Sequence, residues 1–215
     1  MTTAWVAGGS GLVGGELLRR LLEDPSFTKV VAVGRRLLRL AHPKLVEAVV
    51  DFADPAAFAG LGRADVALSA LGTTIKKAGS RPAFRAVDHD AVVAFARAAR
   101  EAGARAFVHV TALGADASSP FFYNAVKGEV EASVARLGFE RAVALRPSLL
   151  DGPRAERRLA ESASLALARA LGPLLGKYRP TPVSAVADAM IAAAKGAGPR
   201  VHVIEARDLV ATRPR

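Results

Sequence analysis

The chain has 215 residues, no cysteine and a formal net charge of +10. The lack of cysteine excludes disulfides, thiolate metal sites and cysteine nucleophiles, and charged residues interrupt every apolar run before it is long enough to cross a bilayer. The 30 basic residues are spread along the chain without a zinc, recognition-helix or aromatic–basic module. We therefore expect a solvated basic surface, no specific nucleic-acid partner and no membrane partner. Because no basic and then apolar segment opens the chain, we expect a cytoplasmic protein.

Short apolar runs alternate with longer helical patterns, which is typical of parallel βαβ units. The pattern predicts seven strands, at residues 4–7, 29–33, 45–52, 64–71, 106–112, 142–145 and 201–204. It predicts helices at residues 16–23, 82–102, 119–137, 153–171 and 183–195. No linker divides the chain, so we expect a single α/β domain over residues 1–215, with a doubly wound parallel sheet of strand order 3-2-1-4-5-6-7.

A glycine-rich segment, GGSGLVG, follows the first predicted strand and opens the first helix. Its glycines fit both G-x-x-G-x-x-G and G-x-G-x-x-G spacing, and missing side chains let the backbone turn tightly and approach a pyrophosphate. The helix N-terminus would add N–H donors and a partial positive charge. Because it lies between a strand and a helix, the segment predicts a Rossmann dinucleotide site and not a plain turn. The predicted contacts are Gly8, Ser10, Gly11, Leu12, Val13 and Gly14.

The end of the second predicted strand indicates which dinucleotide binds. NAD-specific sites carry Asp or Glu there for the ribose hydroxyls, whereas this chain has Arg35 and Arg36. Guanidinium groups suit the 2′-phosphate, so we expect NADP(H), with two ordinary surface arginines as the alternative. Since ligands lie at the carboxyl ends of strands in such sheets, we predict further cofactor contacts after the third and fourth strands. These are Asp51, Phe52, Leu71, Gly72 and Thr73.

Tyr123 and Lys127 stand one helical turn apart in the predicted helix after the fifth strand. The pKa of tyrosine is normally ~10, and a nearby ammonium lowers it by favouring the phenolate. A cationic nicotinamide ring would lower it further. A tyrosine tuned in this way can exchange a proton with a substrate oxygen while hydride moves. We therefore predict a proton-transfer pair, with a surface helix pair as the alternative, and expect Lys127 also to bind the ribose beside the nicotinamide.

These motifs resemble the short-chain dehydrogenase/reductase superfamily, and most closely the atypical group that includes the Tat-interacting-protein oxidoreductase. The similarity runs from residue 4 to about residue 195. It is densest in residues 109–116, 123–131 (YNAVKGEVE) and 146–149 (RPSL). The resemblance implies that the glycine loop binds NADP(H), that Tyr123 and Lys127 are catalytic, and that Pro147 lies against the nicotinamide.

The resemblance also implies a hydroxyl upstream of the tyrosine that steadies the substrate carbonyl. The serine expected there is replaced by Thr111 and Ala112, so Thr111 is the first candidate and Ser118 the alternative. In place of the superfamily's helix-four asparagine the chain has Asp88, as in the atypical group, and this acid could position Lys127 through water. The four histidines lack metal-ligand spacing, so we expect no metal site.

The leading hypothesis is an NADP(H)-dependent oxidoreductase that acts on a small-molecule carbonyl or alcohol. Two alternatives stay open. One is a redox-inactive NADP(H) sensor that controls a partner protein, and the other is an isomerase or epimerase that retains its nucleotide. The predicted substrate side is small, within about residues 150–182, which motivates the sensor alternative. That region has no diagnostic chemistry, so neither the substrate nor the oligomeric state follows from it, and a homodimer is one open alternative.

Overall fold

The structure is a computed structural model that describes residues 2–152, 179–196 and 198–211. The strands in this part of the chain are β1 (Thr2–Ala7), β2 (Phe27–Gly34), β3 (Leu45–Val49), β4 (Val66–Ser69), β5 (Ala106–Val110), β6 (Arg141–Arg146), β7 (Leu150–Asp151), β8 (Thr181–Pro182) and β9 (Val201–Glu205). The helices are α1 (Leu12–Glu23), α2 (Ile75–Ala78), α3 (Arg81–Arg85), α4 (Ala91–Glu101), α5 (Phe122–Ala135), α6 (Val183–Lys195) and α7 (Ala206–Ala211). A 3₁₀ turn covers Pro55–Phe58, and a π-helical turn, Ala86–Asp90, joins α3 to α4.

Seven strands form one parallel sheet in the order β3-β2-β1-β4-β5-β6-β9. The strand order reverses at β1, which pairs with β2 on one side and β4 on the other. Doubly wound sheets bind ligands at such a reversal, beyond the carboxyl ends of the strands. The predicted fold and strand order are confirmed, since β9 is the seventh strand of the prediction. The separate β7–β8 pair was not predicted, because strands of two residues are too short to show a period.

Two apolar layers cover the two faces of the sheet. On one face α1 and α6 pack together, around side chains such as Leu17 and Met190. On the other face α4 and α5 pack around Phe95, Phe107 and Val130. All four residues of β4 are buried, because a central strand covered on both faces has no solvent side. This burial explains why the first three residues of β4 are all apolar.

Two helices begin at positions other than those predicted. α1 begins at Leu12 with Gly11 as its N-cap, earlier than the predicted residue 16, because the glycine loop turns directly into the helix. α5 begins at Phe122, and Ser119 does not cap it. The Ser119 hydroxyl instead accepts a hydrogen bond from the Phe121 N–H at 3.2 Å.

The helix predicted over residues 82–102 is three pieces, α3, the π-helical turn and α4. The 3.6-residue pattern does not reveal the extra residue that a π turn inserts, so the sequence could not show this break. The helix predicted over residues 153–171 and most of the predicted substrate side lie outside the described residues. Within the described residues, no helix is both long and apolar enough to cross a bilayer.

Candidate active site

The glycine loop closes tightly against the end of β4. Gly8 has a φ of +88°, and a Cβ on it would lie 2.5 Å from the carbonyl carbon of Ala70. A Cβ on Gly14 would lie 2.1 Å from the Gly8 carbonyl oxygen. Gly11 donates its N–H to that same oxygen at 2.9 Å. The turn therefore forms only because these positions carry no side chain.

The N-terminus of α1 opens at this loop without a side-chain cap. No side chain bonds to the first turn, which also has no acidic residue. The first N–H groups of a helix have no partner within the helix and attract anions. Ser10 and Gly11 are exposed at the tip, Leu12 is half-buried, and Val13 and Gly14 are buried. The cradle therefore fits a pyrophosphate, which the backbone at the tip would hold.

Arg35 and Arg36 follow β2 directly and both are exposed. They lie at the carboxyl edge of the sheet, just beyond the end of β2, which is the strand next to β1. The loop that follows is held by Glu47 of β3, whose carboxylate accepts the N–H of Leu40 at 2.8 Å and of Arg39 at 3.3 Å. These backbone hydrogen bonds, with that of Leu40 first, lower the pKa of Glu47. The nearby Glu47 carboxylate therefore binds backbone N–H groups, and the guanidinium groups of Arg35 and Arg36 are exposed at the surface.

The two candidates after β3 lie in different environments. Asp51 is exposed, and its Oδ1 accepts the N–H of Ala53 at 2.9 Å. Phe52 is 8 % exposed, and its ring packs edge-on against Phe58 with centroids 5.8 Å apart. The Phe52 ring belongs to the hydrophobic core, so the structure does not offer this side chain for the cofactor contact predicted from the sequence.

A buried carboxylate fixes the segment after β4. Asp88 Oδ2 accepts the Thr73 N–H at 2.8 Å, and Asp88 Oδ1 lies 2.7 Å from Lys127 Nζ. Gly72 lies against this ion pair, since a Cβ on it would be 3.4 Å from Asp88 Oδ1 and 3.8 Å from Lys127 Nζ. Gly72 is exposed, whereas Leu71 and Thr73 are half-buried. Asp88 therefore links the segment directly to the lysine, where the sequence led us to expect a water between them.

Tyr123 and Lys127 lie one turn apart in the first half of α5. Lys127 Nζ is 5.9 Å from the centroid of the Tyr123 ring, which packs against Phe84 of α3 at 5.4 Å between centroids. Burial and the charge of Asp88 together raise the pKa of Tyr123 to about 12. This is opposite to the predicted lowering, because burial disfavours the phenolate and the Asp88 charge adds to that effect. The structure therefore keeps the phenol protonated.

The two candidate hydroxyls both donate to carboxylates. Thr111 is 5 % exposed, and its Oγ1 donates to Glu131 Oε1 at 2.6 Å. Glu131 also binds Arg146, with 3.0 Å to Nε and 2.6 Å to Nη2. Ser118 is exposed and donates to Asp116 Oδ1 at 2.7 Å. Each hydroxyl has a single proton, so the structure does not single out either as the donor to a substrate carbonyl.

Gly128 and Glu131 are site residues that the sequence reasoning missed. A Cβ on Gly128 would lie 2.0 Å from the backbone nitrogen of Ala117, so only glycine lets the segment before α5 lie on the helix beside Lys127. A glycine inside a helix costs about 1 kcal/mol relative to alanine, and that unfavourable choice was the available signal. For Glu131 the signal was its i+4 spacing from Lys127.

The end of β6 is tied to the end of β5 at the same edge of the sheet. Pro147 is buried, and its carbonyl accepts the Leu113 N–H at 3.0 Å. The next residue, Ser148, donates its N–H to Thr181 Oγ1 at 3.2 Å, which joins this segment to β8. Pro147 thus lies at the carboxyl edge of the sheet, directly after β6.

Known proteins match this chain in sequence. Residues 8–162 match the family described as NAD(P)H-binding. The protein FMP52, mitochondrial, of Coccidioides immitis is 34 % identical over 98 % of this chain and 96 % of its own length. The protein fmp52, mitochondrial, of Aspergillus clavatus is 38 % identical over 76 % of this chain and 73 % of its own.

Solved structures share the fold at low sequence identity. MoeE5 in complex with UDP-glucose and NAD has a TM-score of 0.71 at 17 % identity, over 97 % of this chain and 80 % of that one. A short-chain dehydrogenase family protein from Francisella tularensis has a TM-score of 0.70 at 13 % identity, over 98 % of this chain and 99 % of that one. At these identities the likeness concerns the fold alone.

The relatives correct the expected address of the protein. The FMP52 proteins of Coccidioides immitis and Candida albicans are both named mitochondrial, so the cytoplasmic prediction is wrong. That prediction depended on the lack of a secretory-type segment, which does not separate cytoplasmic from mitochondrial proteins.

The family follows from observations that agree. The glycine cradle lies at the reversal point of a parallel sheet, the NAD(P)H-binding family model matches most of the chain, and one relative is 34 % identical over nearly its whole length. The chain belongs to the NAD(P)H-binding family, and its Rossmann fold is shared with a short-chain dehydrogenase family protein.

Proposed function

We propose that this protein is an NADP(H)-dependent oxidoreductase that interconverts a carbonyl and an alcohol on a small molecule, with Tyr123 as the proton donor and acceptor. The observation that carries the proposal is the convergence of Tyr123, Lys127 and Asp88 beside Gly72, at the edge of the sheet that holds the glycine cradle. A bound dinucleotide would supply the hydride chemistry, and the protein would supply orientation and the proton.

Different residues at the edge of the sheet would bind different parts of NADP(H). The glycine cradle and the N-terminus of α1 would bind the pyrophosphate. Arg35 and Arg36, exposed at the end of a strand with no carboxylate there, would bind the 2′-phosphate. The Lys127 ammonium has three donors. One faces Asp88, which leaves two for the ribose hydroxyls beside the nicotinamide.

The protonation state of Tyr123 favours the reducing direction. A phenol with a pKa of about 12 carries its proton at neutral pH, so it can donate to an oxygen that gains negative charge as a carbonyl is reduced. The fixed Lys127 charge next to it stabilises the phenolate that remains. Asp88 holds that lysine charge in place and limits its effect on the resting phenol.

Turnover of a carbonyl panel tests the proposal. NADPH oxidation is followed with an aromatic aldehyde, a 1,2-diketone and a quinone, with the wild type and with Tyr123→Phe. We expect the wild type to turn over at least one class, and Tyr123→Phe to lose at least 100-fold in kcat while its NADPH affinity stays unchanged. NADPH binding without any turnover would instead favour the sensor alternative. A nucleotide that co-purifies and never exchanges would favour the isomerase or epimerase.

A further inference from the structure

Large apolar side chains are exposed at the carboxyl edge of the sheet. In the part of the chain that the structure describes, eight large apolar side chains are exposed, and three of them lie on the edge strands β3 and β9. The other five lie in segments that follow β2, β4, β5 and β6, and they are Leu37, Leu40, Ile75, Phe121 and Leu149. Single exposed apolar residues are common, but a group of them at one edge indicates a surface that binds a ligand.

Phe121 is the most exposed member of this group, at 71 %. It is the N-cap of α5, where no side chain caps the helix. Ser, Thr, Asp and Asn are preferred at an N-cap because their oxygen accepts a helix N–H, so phenylalanine there supplies neither a cap nor buried surface. Because only one residue separates Phe121 from Tyr123, their Cα atoms are no more than ~7 Å apart. The exposed ring therefore stands at the entrance to the proposed catalytic tyrosine.

Leu149 has the same character on the neighbouring loop. Its side chain is 53 % exposed, whereas its backbone is fixed, since its carbonyl accepts the Thr181 N–H at 2.8 Å. The backbone of Phe121 is fixed as well, because its carbonyl accepts the Ala125 N–H at 2.9 Å. The loops after β5 and β6 are also joined by the hydrogen bond to the Pro147 carbonyl. Two exposed apolar side chains thus stand on fixed backbone in two connected loops, which is a surface prepared for binding.

We propose that Phe121 and Leu149 bind the apolar part of the substrate, so that the protein reduces aldehydes with an extended hydrocarbon chain. This inference rests on the proposed function, because it places the carbonyl beside Tyr123. In the reduction the carbonyl carbon takes a hydride from NADPH and the carbonyl oxygen takes the phenol proton of Tyr123. The products are NADP⁺ and an alcohol, and solvent returns the proton to the phenol. The hydrocarbon chain lies across Phe121 and Leu149 and removes their apolar surface from water.

The hydrophobic effect sets the size of the expected preference. Complete burial of one methylene contributes about 0.8 kcal/mol, which is a factor of about 4 in binding. A chain that lies on an open surface is covered on one side only, so we expect about half of that free energy, or about 2-fold per methylene. Propanal and octanal differ by five methylenes, which corresponds to roughly 30-fold in kcat/KM.

Kinetics with straight-chain aldehydes and NADPH test the inference. We expect kcat/KM of the wild type to rise roughly 30-fold from propanal to octanal, and the rise to fall to about 3-fold or less in the double variant Phe121→Ser with Leu149→Ala. Serine is a preferred N-cap, so unfolding of α5 would not explain the loss. Val201→Ala removes another exposed apolar side chain, on β9, and should behave like the wild type. A wild-type series without a chain-length preference, or an equal preference in the double variant, would overturn the inference.

A second measurement needs no turnover. NADPH and 1-octanol cannot react with each other because both are already reduced, so they can be bound together and followed by titration calorimetry. We expect the wild-type complex with NADPH to bind 1-octanol at least about 10-fold more tightly than the double variant does. If the wild type reduces no aldehyde, the proposed function fails, and equal octanol affinities would show separately that Phe121 and Leu149 do not bind apolar molecules.

Discussion

Asp88 Oδ1 and Lys127 Nζ are 2.7 Å apart in a pair whose side chains are 0 % and 5 % exposed. The two residues come from different elements, the π-helical turn and α5. Removing one member of such a buried pair leaves an uncompensated charge, which costs about 3–5 kcal/mol of stability. The pair therefore serves both the stability of the site and the electrostatics of Tyr123.

Replacing Asp88 by asparagine removes the charge and keeps the shape. Because the Asp88 charge contributes to the pKa of about 12 for Tyr123, Asp88→Asn should lower that pKa and move the pH profile of kcat/KM to lower pH. The phenolate absorbance of Tyr123 can be titrated in a Tyr178→Phe background, since the chain has two tyrosines. The same tyrosine titration with and without Asp88→Asn would contradict this account.

Gly14 and Gly15 are neighbours in the glycine cradle, and we expect alanine to have opposite effects at the two positions. A Cβ on Gly14 would lie 2.1 Å from the Gly8 carbonyl oxygen, whereas one on Gly15 would meet only the Gly9 oxygen at 3.6 Å. Gly14→Ala should therefore abolish NADPH binding in a fluorescence titration. Gly15→Ala should bind NADPH normally and gain up to about 1 kcal/mol from better helix propensity. Equal affinities in the two variants would rule out the predicted loop geometry.

The two arginines after β2 should decide between the cofactors. Charge-assisted hydrogen bonds contribute about 1.5–3 kcal/mol each, so Arg35→Ala with Arg36→Ala should weaken NADPH binding at least 10-fold and leave NADH binding nearly unchanged. Arg200→Ala removes another exposed arginine, just before β9, and serves as the matched control. An equal loss for both cofactors would point to a general charge effect.

Gly128 should be required for the packing of α5. Alanine is normally favoured over glycine inside a helix by about 1 kcal/mol. In Gly128→Ala, however, the new Cβ would lie 2.0 Å from the Ala117 nitrogen, and relieving such overpacking typically costs about 1–3 kcal/mol. Urea unfolding should show the loss, with Gly15→Ala as the control. A stabilised Gly128→Ala protein would mean that the segment before α5 is not held against the helix.

Acid should destabilise the protein through His109. Burial first, and then the Lys127 charge, lower its pKa to about 3 in the folded protein, compared with ~6.5 in an unfolded chain. Between these values only the unfolded chain binds the proton, so stability falls as the pH falls through this window, by up to about 1.4 kcal/mol per pH unit. Urea unfolding at several pH values should show a shallower dependence in His109→Phe. An equal slope in both proteins would mean that His109 is protonated in the fold.

Much of the candidate site could be predicted from local patterns in the sequence. The glycine spacing, the arginines after the second strand and the i+4 spacing of Tyr123 and Lys127 are all visible within a few residues of chain. The parallel sheet order also follows from the alternation of strands and helices, since such chains obey few topological rules.

Only the tertiary structure decided which groups face one another. Asp88 and Lys127 meet across 39 positions of sequence, and the π-helical turn that aims the carboxylate inward has no visible sequence pattern. The burial of Phe52 and the bond from Thr111 to Glu131 likewise depend on the packing of distant elements. The direction of the Tyr123 pKa shift also depends on the tertiary structure. Burial of the phenol and its distance from the Asp88 charge set that direction, and neither is a local property of the chain.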